Sequence, residues 1–236
     1  MRKIALLSLC VLFLAGVAGA QKKFKPWIEW NEKDAQKILE ESPWAHTQTE
    51  TDTSEMFYKP TASPTAGGTT AERNERGAFN QSMNANFRIR FLSSKPIRAA
   101  FAKTLSAKQP NLSDGLRAFV DREFPDHIVV AVTFDASDRR VEGPVMQTFN
   151  SINLGVLQNT TFLETKNGKR NFIIQYQIPS QDGLGAKFIF PRNVDGEPFL
   201  TPQSGELRFY SEMSKTLKLN MRFKVADMMY EGKLEY

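Results

Sequence analysis

Apolar and polar positions alternate most regularly over residues 217–225, where Leu217, Leu219, Met221, Phe223 and Val225 interleave with Lys218, Asn220, Arg222 and Lys224. A period of two puts one row of side chains in a core and the other in water, so the segment is predicted to be a half-buried strand with a cationic outer row. Phe87, Ile89 and Phe91 alternate with Asn86, Arg88 and Arg90 in the same way. The unbroken run Ile128 to Phe134 is rich in β-branched residues and predicts a central strand buried on both faces. Further strands are expected over 160–165, 171–178, 186–190, 206–213 and 216–225, punctuated by the turn dipeptides Asn167-Gly168, Asp182-Gly183 and Asp195-Gly196.

Helical spacing is confined mainly to the first two thirds of the chain. Asn31 and Asp34 form a capping pair ahead of a helix over 32–41, with Ala35, Ile38 and Leu39 on one face and Pro43 as its stop. Pro96 opens a second helix through Ile97, Phe101 and Leu105, and Ser113 a third through Leu116, Phe119 and Val120. Val145, Phe149, Ile152 and Val156 also recur at helical spacing. Strands that mostly follow helices predict an α+β fold, with a mostly antiparallel β-sheet of six to seven strands and two to three flanking helices beside the short N-terminal one. Trp27, Trp30 and Trp44, the only three tryptophans, flank that first helix and are read as its docking surface rather than as a sugar-stacking platform.

Two segments stand outside this pattern. Arg2 and Lys3 followed by the apolar run Ile4 to Val17 and the small residues Ala18-Gly19-Ala20 read as a secretion signal, with a mature chain starting at Gln21. The apolar stretch is shorter than the ~20 residues that span a bilayer, so no transmembrane helix is expected in the mature chain. Residues 60–78, rich in Pro, Thr, Ala and Gly without apolar period, read as a flexible linker or loop between an N-terminal extension (21–59) and the main domain (79–236).

Composition narrows the chemistry. The 236 residues include two histidines and one cysteine, Cys10, which lies inside the signal, so no zinc, copper or iron–sulfur set and no cofactor are expected. A cysteine-free exported chain points to the bacterial periplasm or the extracellular space. Net charge is only +5, but it is uneven: residues 21–78 sum to −2 and residues 79–236 to +5, so the extension is expected to fold back on a basic body. There is no glycine-rich phosphate loop, no His-Glu-x-x-His, no Gly-x-Ser-x-Gly and no cysteine nucleophile in the mature chain.

Two surfaces remain. Asp135-Ala136-Ser137-Asp138, at the end of the central strand, resembles half of the metal-binding Asp-x-Ser-x-Ser signature of von Willebrand A-type domains. Arg139 replaces the second serine and no regular βα repeats follow, so no metal is assigned. Asp135, Asp138 and His127 are instead the candidates for an uncharacterised hydrolase. The other surface is the cationic row Lys218, Arg222 and Lys224, joined by Arg88, Arg90 and Arg208 if their strands share a sheet. No aromatic interleaves with those cations, so nucleic acid is not expected. Met228, Tyr230, Leu234 and Tyr236 resemble the closing strand of bacterial outer-membrane β-barrels, although Gly232 and the helices before Glu123 oppose that reading. The sequence is therefore read as a non-catalytic exported binding or assembly module of the bacterial cell envelope. The partners considered are an anionic envelope polymer, a lipid head group or an acidic protein surface.

Overall fold

A computed structural model describes residues 25–51, 84–108 and 113–236. The secretion signal with its cleavage point, and the linker read over 60–78, lie outside the described residues. Among the described residues there are five α-helices: α1 (Glu32–Glu40), α2 (Lys95–Lys108), α3 (Ser113–Asp121), α4 (Arg139–Ser151) and the single turn α5 (Leu154–Leu157). None is long and apolar enough to cross a membrane.

The strands form two antiparallel sheets. One has five members: β1 (Ala45–Thr51), β2 (Asn84–Phe91), β3 (His127–Ala136), β7 (Ala186–Pro191) and β6 (Gln175–Gln177), in the order β1-β2-β3-β7-β6. The other has four, in the order β11-β10-β4-β5, from β4 (Thr161–Thr165), β5 (Arg170–Phe172), β10 (Glu206–Glu212) and β11 (Lys218–Lys224). Two short ribbons complete the fold, β8 (Asn193–Val194) with β9 (Glu197–Pro198) and β12 (Met229–Tyr230) with β13 (Lys233–Leu234). The α+β class with mostly antiparallel pairing is as the sequence predicts, but the strands divide between two sheets.

Facing aromatics fill the space between the sheets. Phe209 on β10 meets Phe188 and Phe190 on β7 at 5.4 and 6.3 Å, and Phe223 on β11 meets Phe91 on β2 edge to face at 4.9 Å. At one end of this layer Phe149 of α4 stacks on Phe134 and Phe87. The run Ile128–Phe134 lies in β3, the middle strand of five, and Ile128 to Val132 are all buried.

Both pairs of sheet edges are joined, by different means. The segment predicted as one strand over 171–178 changes sheet at Ile173: its amide donates to the Thr161 carbonyl on β4 at 3.2 Å, while the next amide, of Ile174, donates to Ile189 on β7 at 2.9 Å. At the opposite edges the Gln48 side chain of β1 replaces a strand, donating to Lys218 O at 2.8 Å and accepting from Asn220 N at 2.7 Å on β11.

Residues 25–51 dock on the body. Asn31 caps α1 by accepting from Asp34 N at 2.7 Å. The last carbonyls of α1, which have no helical partner, are met by three side chains: Ser42 donates to Ile38 O at 2.8 Å, Arg90 Nε to Leu39 O at 2.6 Å and Thr47 to Glu40 O at 3.3 Å. Trp44 is buried and donates through Nε1 to Glu235 O at 2.8 Å. Trp30 is likewise buried, which fits docking and leaves neither ring free for a sugar. Met228, Tyr230 and Tyr236 are buried as well, so the face compared with a barrel strand packs into this protein's own core.

A candidate anion-binding face

The second sheet buries one face against the first and exposes the other. On β11, Leu219 and Phe223 are buried while Lys218, Asn220, Arg222 and Lys224 are exposed, as the alternation predicts. Antiparallel register sets Glu206 opposite Lys224, Arg208 opposite Arg222, Tyr210 opposite Asn220 and Glu212 opposite Lys218, and continues from Arg208 to Glu164 and from Tyr210 to Phe162. The face is consequently mixed in charge. Lys218 pairs with Glu212 at 3.3 Å, Lys224 with Asp227 at 3.3 Å, and Arg222 with Glu206. Glu164 is shared by Arg170 at 2.6 Å and Arg208 at 3.4 Å. The hydrogen bond from Arg170, reinforced by Arg208, holds the Glu164 carboxyl below the usual carboxylate range against an opposing desolvation.

Aromatics also occupy this face, contrary to the expectation from β11 alone. Phe162 lies 5.2 Å from Tyr210 and 5.8 Å from Phe172 between ring centroids, with Arg170 4.3 Å above Phe162 and Arg208 4.8 Å above Tyr210. Residues of β4, β5 and β10 supply this row, so it has no signature within any single segment.

One end of the face is concave. The hairpin turn at Thr165–Gly168 and Gly205, just before β10, line an open hollow of about 750 Å³. Its lining carries four cations, Lys166, Arg208, Arg222 and Lys224, against two carboxylates, Glu164 and Glu206. The hollow is open to solvent along its length. Lys166 has no assignment in the sequence reading, because it sits in a turn without period.

Arg88 and Arg90 do not belong to this surface. They lie on β2 in the five-stranded sheet, on the face opposite Phe87, Ile89 and Phe91, so they point away from the second sheet. Arg90 is buried, with its guanidinium over the Phe101 ring at 5.4 Å and hydrogen bonds to Leu39 O and Thr133 Oγ1; desolvation pushes its pKa down to about 10. Arg88, nearer the open end of the strand, pairs with Asp135. The premise of a single basic face built from all six cations is corrected: four of them face outward on the second sheet, and two serve the first.

The hydrolase candidates do not converge. His127 and Asp135 are eight residues apart on one strand, which places them about 26 Å apart. Asp135 accepts from Arg88 and from Asn86 at 3.2 Å, and the Ser137 hydroxyl is engaged with Asn84. Asp138 is the N-cap of α4, accepting from Arg140 N at 2.8 Å and pairing with the Arg140 side chain. Among the described residues no group of three or more His, Cys, Asp or Glu is placed to hold a metal ion.

The bond from the Arg140 side chain, then that from its amide, pulls the Asp138 pKa from near 3.8 to about 2. A carboxyl with a lowered folded-state pKa stabilises fully above its unfolded value and loses that contribution as pH falls toward the folded one. Asp138→Ala is therefore expected to lower the melting temperature at neutral pH, with the deficit closing between about pH 4 and pH 2. A deficit that persisted unchanged at pH 2 would contradict the charge-assisted cap. Comparison with known proteins gives no guide to this face, since no family, curated protein or solved structure matches the chain.

Proposed function

We propose that this protein is a non-catalytic binding module exported to the periplasm or surface of a bacterium, and that it takes an anionic ligand at the hollow end of the second sheet. The observation carrying the reading is the lining of that hollow, four cations to two carboxylates, where Arg208, Arg222 and Lys224 each have an acidic partner and Lys166 has no ion pair among the described residues. The secretion signal supports export. The separation of His127 from Asp135 and Asp138 argues against the hydrolase reading, because acid–base chemistry needs its groups within reach of one substrate.

The hollow would attract its ligand by Coulomb forces through water, so binding should be screened by salt over about 8 Å at physiological ionic strength. Wild-type protein is expected to bind anionic polymers and anionic vesicles at low salt, to bind neutral ones far less, and to release the former as salt rises. Lys166→Glu with Lys224→Glu should abolish the binding, while exposed substitutions of this kind usually move stability by no more than about 0.5 kcal/mol each. Unaltered binding by the folded double variant would refute the site.

A further inference from the structure

We infer that the ligand of this hollow presents a phosphate group, held between the guanidinium groups of Arg208 and Arg222; the inference rests on the anion-binding reading above. Arg208 and Arg222 stand directly opposite each other, whereas the neighbouring charged pairs of the same two strands, Glu206 with Lys224 and Glu212 with Lys218, are of opposite sign. Side chains directly opposite on antiparallel strands have Cβ atoms about 4.5–5.5 Å apart, where like charges repel. A sheet that otherwise matches charges across β10 and β11 departs from that rule at one position, and that position lines the hollow.

The carboxylates nearby do not use up the donors. Arg170, Arg208 and Arg222 share two acids, Glu164 and Glu206. Among the described residues, Arg208 spends Nε on Asn220 Oδ1 at 2.7 Å and Nη1 on Glu164, which leaves its Nη2. Arg222 spends Nη1 on Glu206, which leaves Nε and Nη2 among the same residues. Lys166 makes no ion pair among the described residues and lines the same hollow. The unused donors therefore come from three side chains on β10, β11 and the β4–β5 turn. A planar carboxylate offers two oxygens in one plane, suited to one guanidinium fork, while a tetrahedral phosphate offers oxygens in several directions and suits donors arriving from separate strands.

The test is equilibrium binding of the mature protein to four probes: inorganic phosphate, acetate, phosphatidylglycerol vesicles, and zwitterionic vesicles given the same surface charge with a fatty-acid carboxylate. Phosphorus NMR reads the first and calorimetry the rest. The expected result is saturable phosphate binding at least tenfold tighter than acetate, and preference for the phosphatidylglycerol vesicles over the carboxylate ones. Arg208→Gln and Arg222→Gln should each remove that preference, and Arg222→Lys, which keeps the charge and the reach to Glu206, should weaken phosphate binding at least tenfold with the fold unchanged. Preference for phosphatidylglycerol without measurable binding of free phosphate would identify the source as a lipid head group. Equal binding of phosphate and carboxylate probes would overturn the phosphate assignment and leave the anion-binding reading standing. Binding of none of the four would overturn both.

Discussion

Gly185→Ala is expected to be among the most damaging single substitutions in this protein, at about 4 kcal/mol. Gly185 has a φ of +82°, where an L side chain is strained by about 1–2 kcal/mol. A Cβ there would also fall 2.2 Å from the Val132 carbonyl oxygen and 2.7 Å from the Thr133 methyl. Those atoms belong to β3, the central strand, and Val132 pairs with Ala186 immediately after the glycine. Relief therefore requires the β3–β7 ladder to part at its end. For a chain of this size the loss amounts to a melting-temperature drop of roughly 8–16 °C. Gly183→Ala supplies the control: its φ is +72°, but nothing lies within 4 Å of the added carbon, so it should cost only the conformational part. Equal destabilisation by the two variants would show that the close approach to Val132 contributes nothing.

Arg90→Met is expected to cost about 3 kcal/mol and to leave anion binding untouched. Methionine replaces much of the aliphatic stem but leaves Leu39 O at the end of α1 without a donor and removes the bond to Thr133. A buried polar group stripped of its partner costs about 1–3 kcal/mol, with lost packing over Phe101 in addition. The damage should be local first, with faster amide exchange in α1 and β1. Arg208→Gln should behave in the opposite way, with little change in stability and loss of binding. A fall in anion affinity for a folded Arg90→Met protein would place Arg90 back in the binding surface.

The contrast between Arg88 and Arg90 marks where reading by sequence stops. Their alternation with Phe87, Ile89 and Phe91 is correct, and both leave the core on the same side of β2. Whether that side is wet depends on how far α1 and α2 reach along the sheet, and they cover Arg90 while leaving Arg88 to pair with Asp135. A helix boundary can be read from a cap such as Asn31, but its docking position is a tertiary fact. The same limit applies to β11. Its outward cations were legible from one segment, whereas the acids that neutralise them arrive on β10 and in the turn at Asp227, and the aromatics on β4, β5 and β10. β1 has no signature in the sequence because Ala-His-Thr-Gln-Thr-Glu-Thr has no apolar period: only Ala45 is buried, and the strand is held by backbone pairing to β2 and by Gln48.

The two ways in which the sheet edges are joined divide the molecule into a fixed seam and a latch. At Ile173 and Ile174 the edges of both sheets are one continuous backbone, so they separate only if the chain itself unfolds there. At Gln48 they are joined only by side chains, the amide bonded to Lys218 and Asn220 and the His46 ring packed on Phe223 at 4.8 Å. Native-state opening follows the weaker junction. The clasped edge is therefore the one expected to open first, and faster amide exchange in β1 than in β5 and β6 would show it.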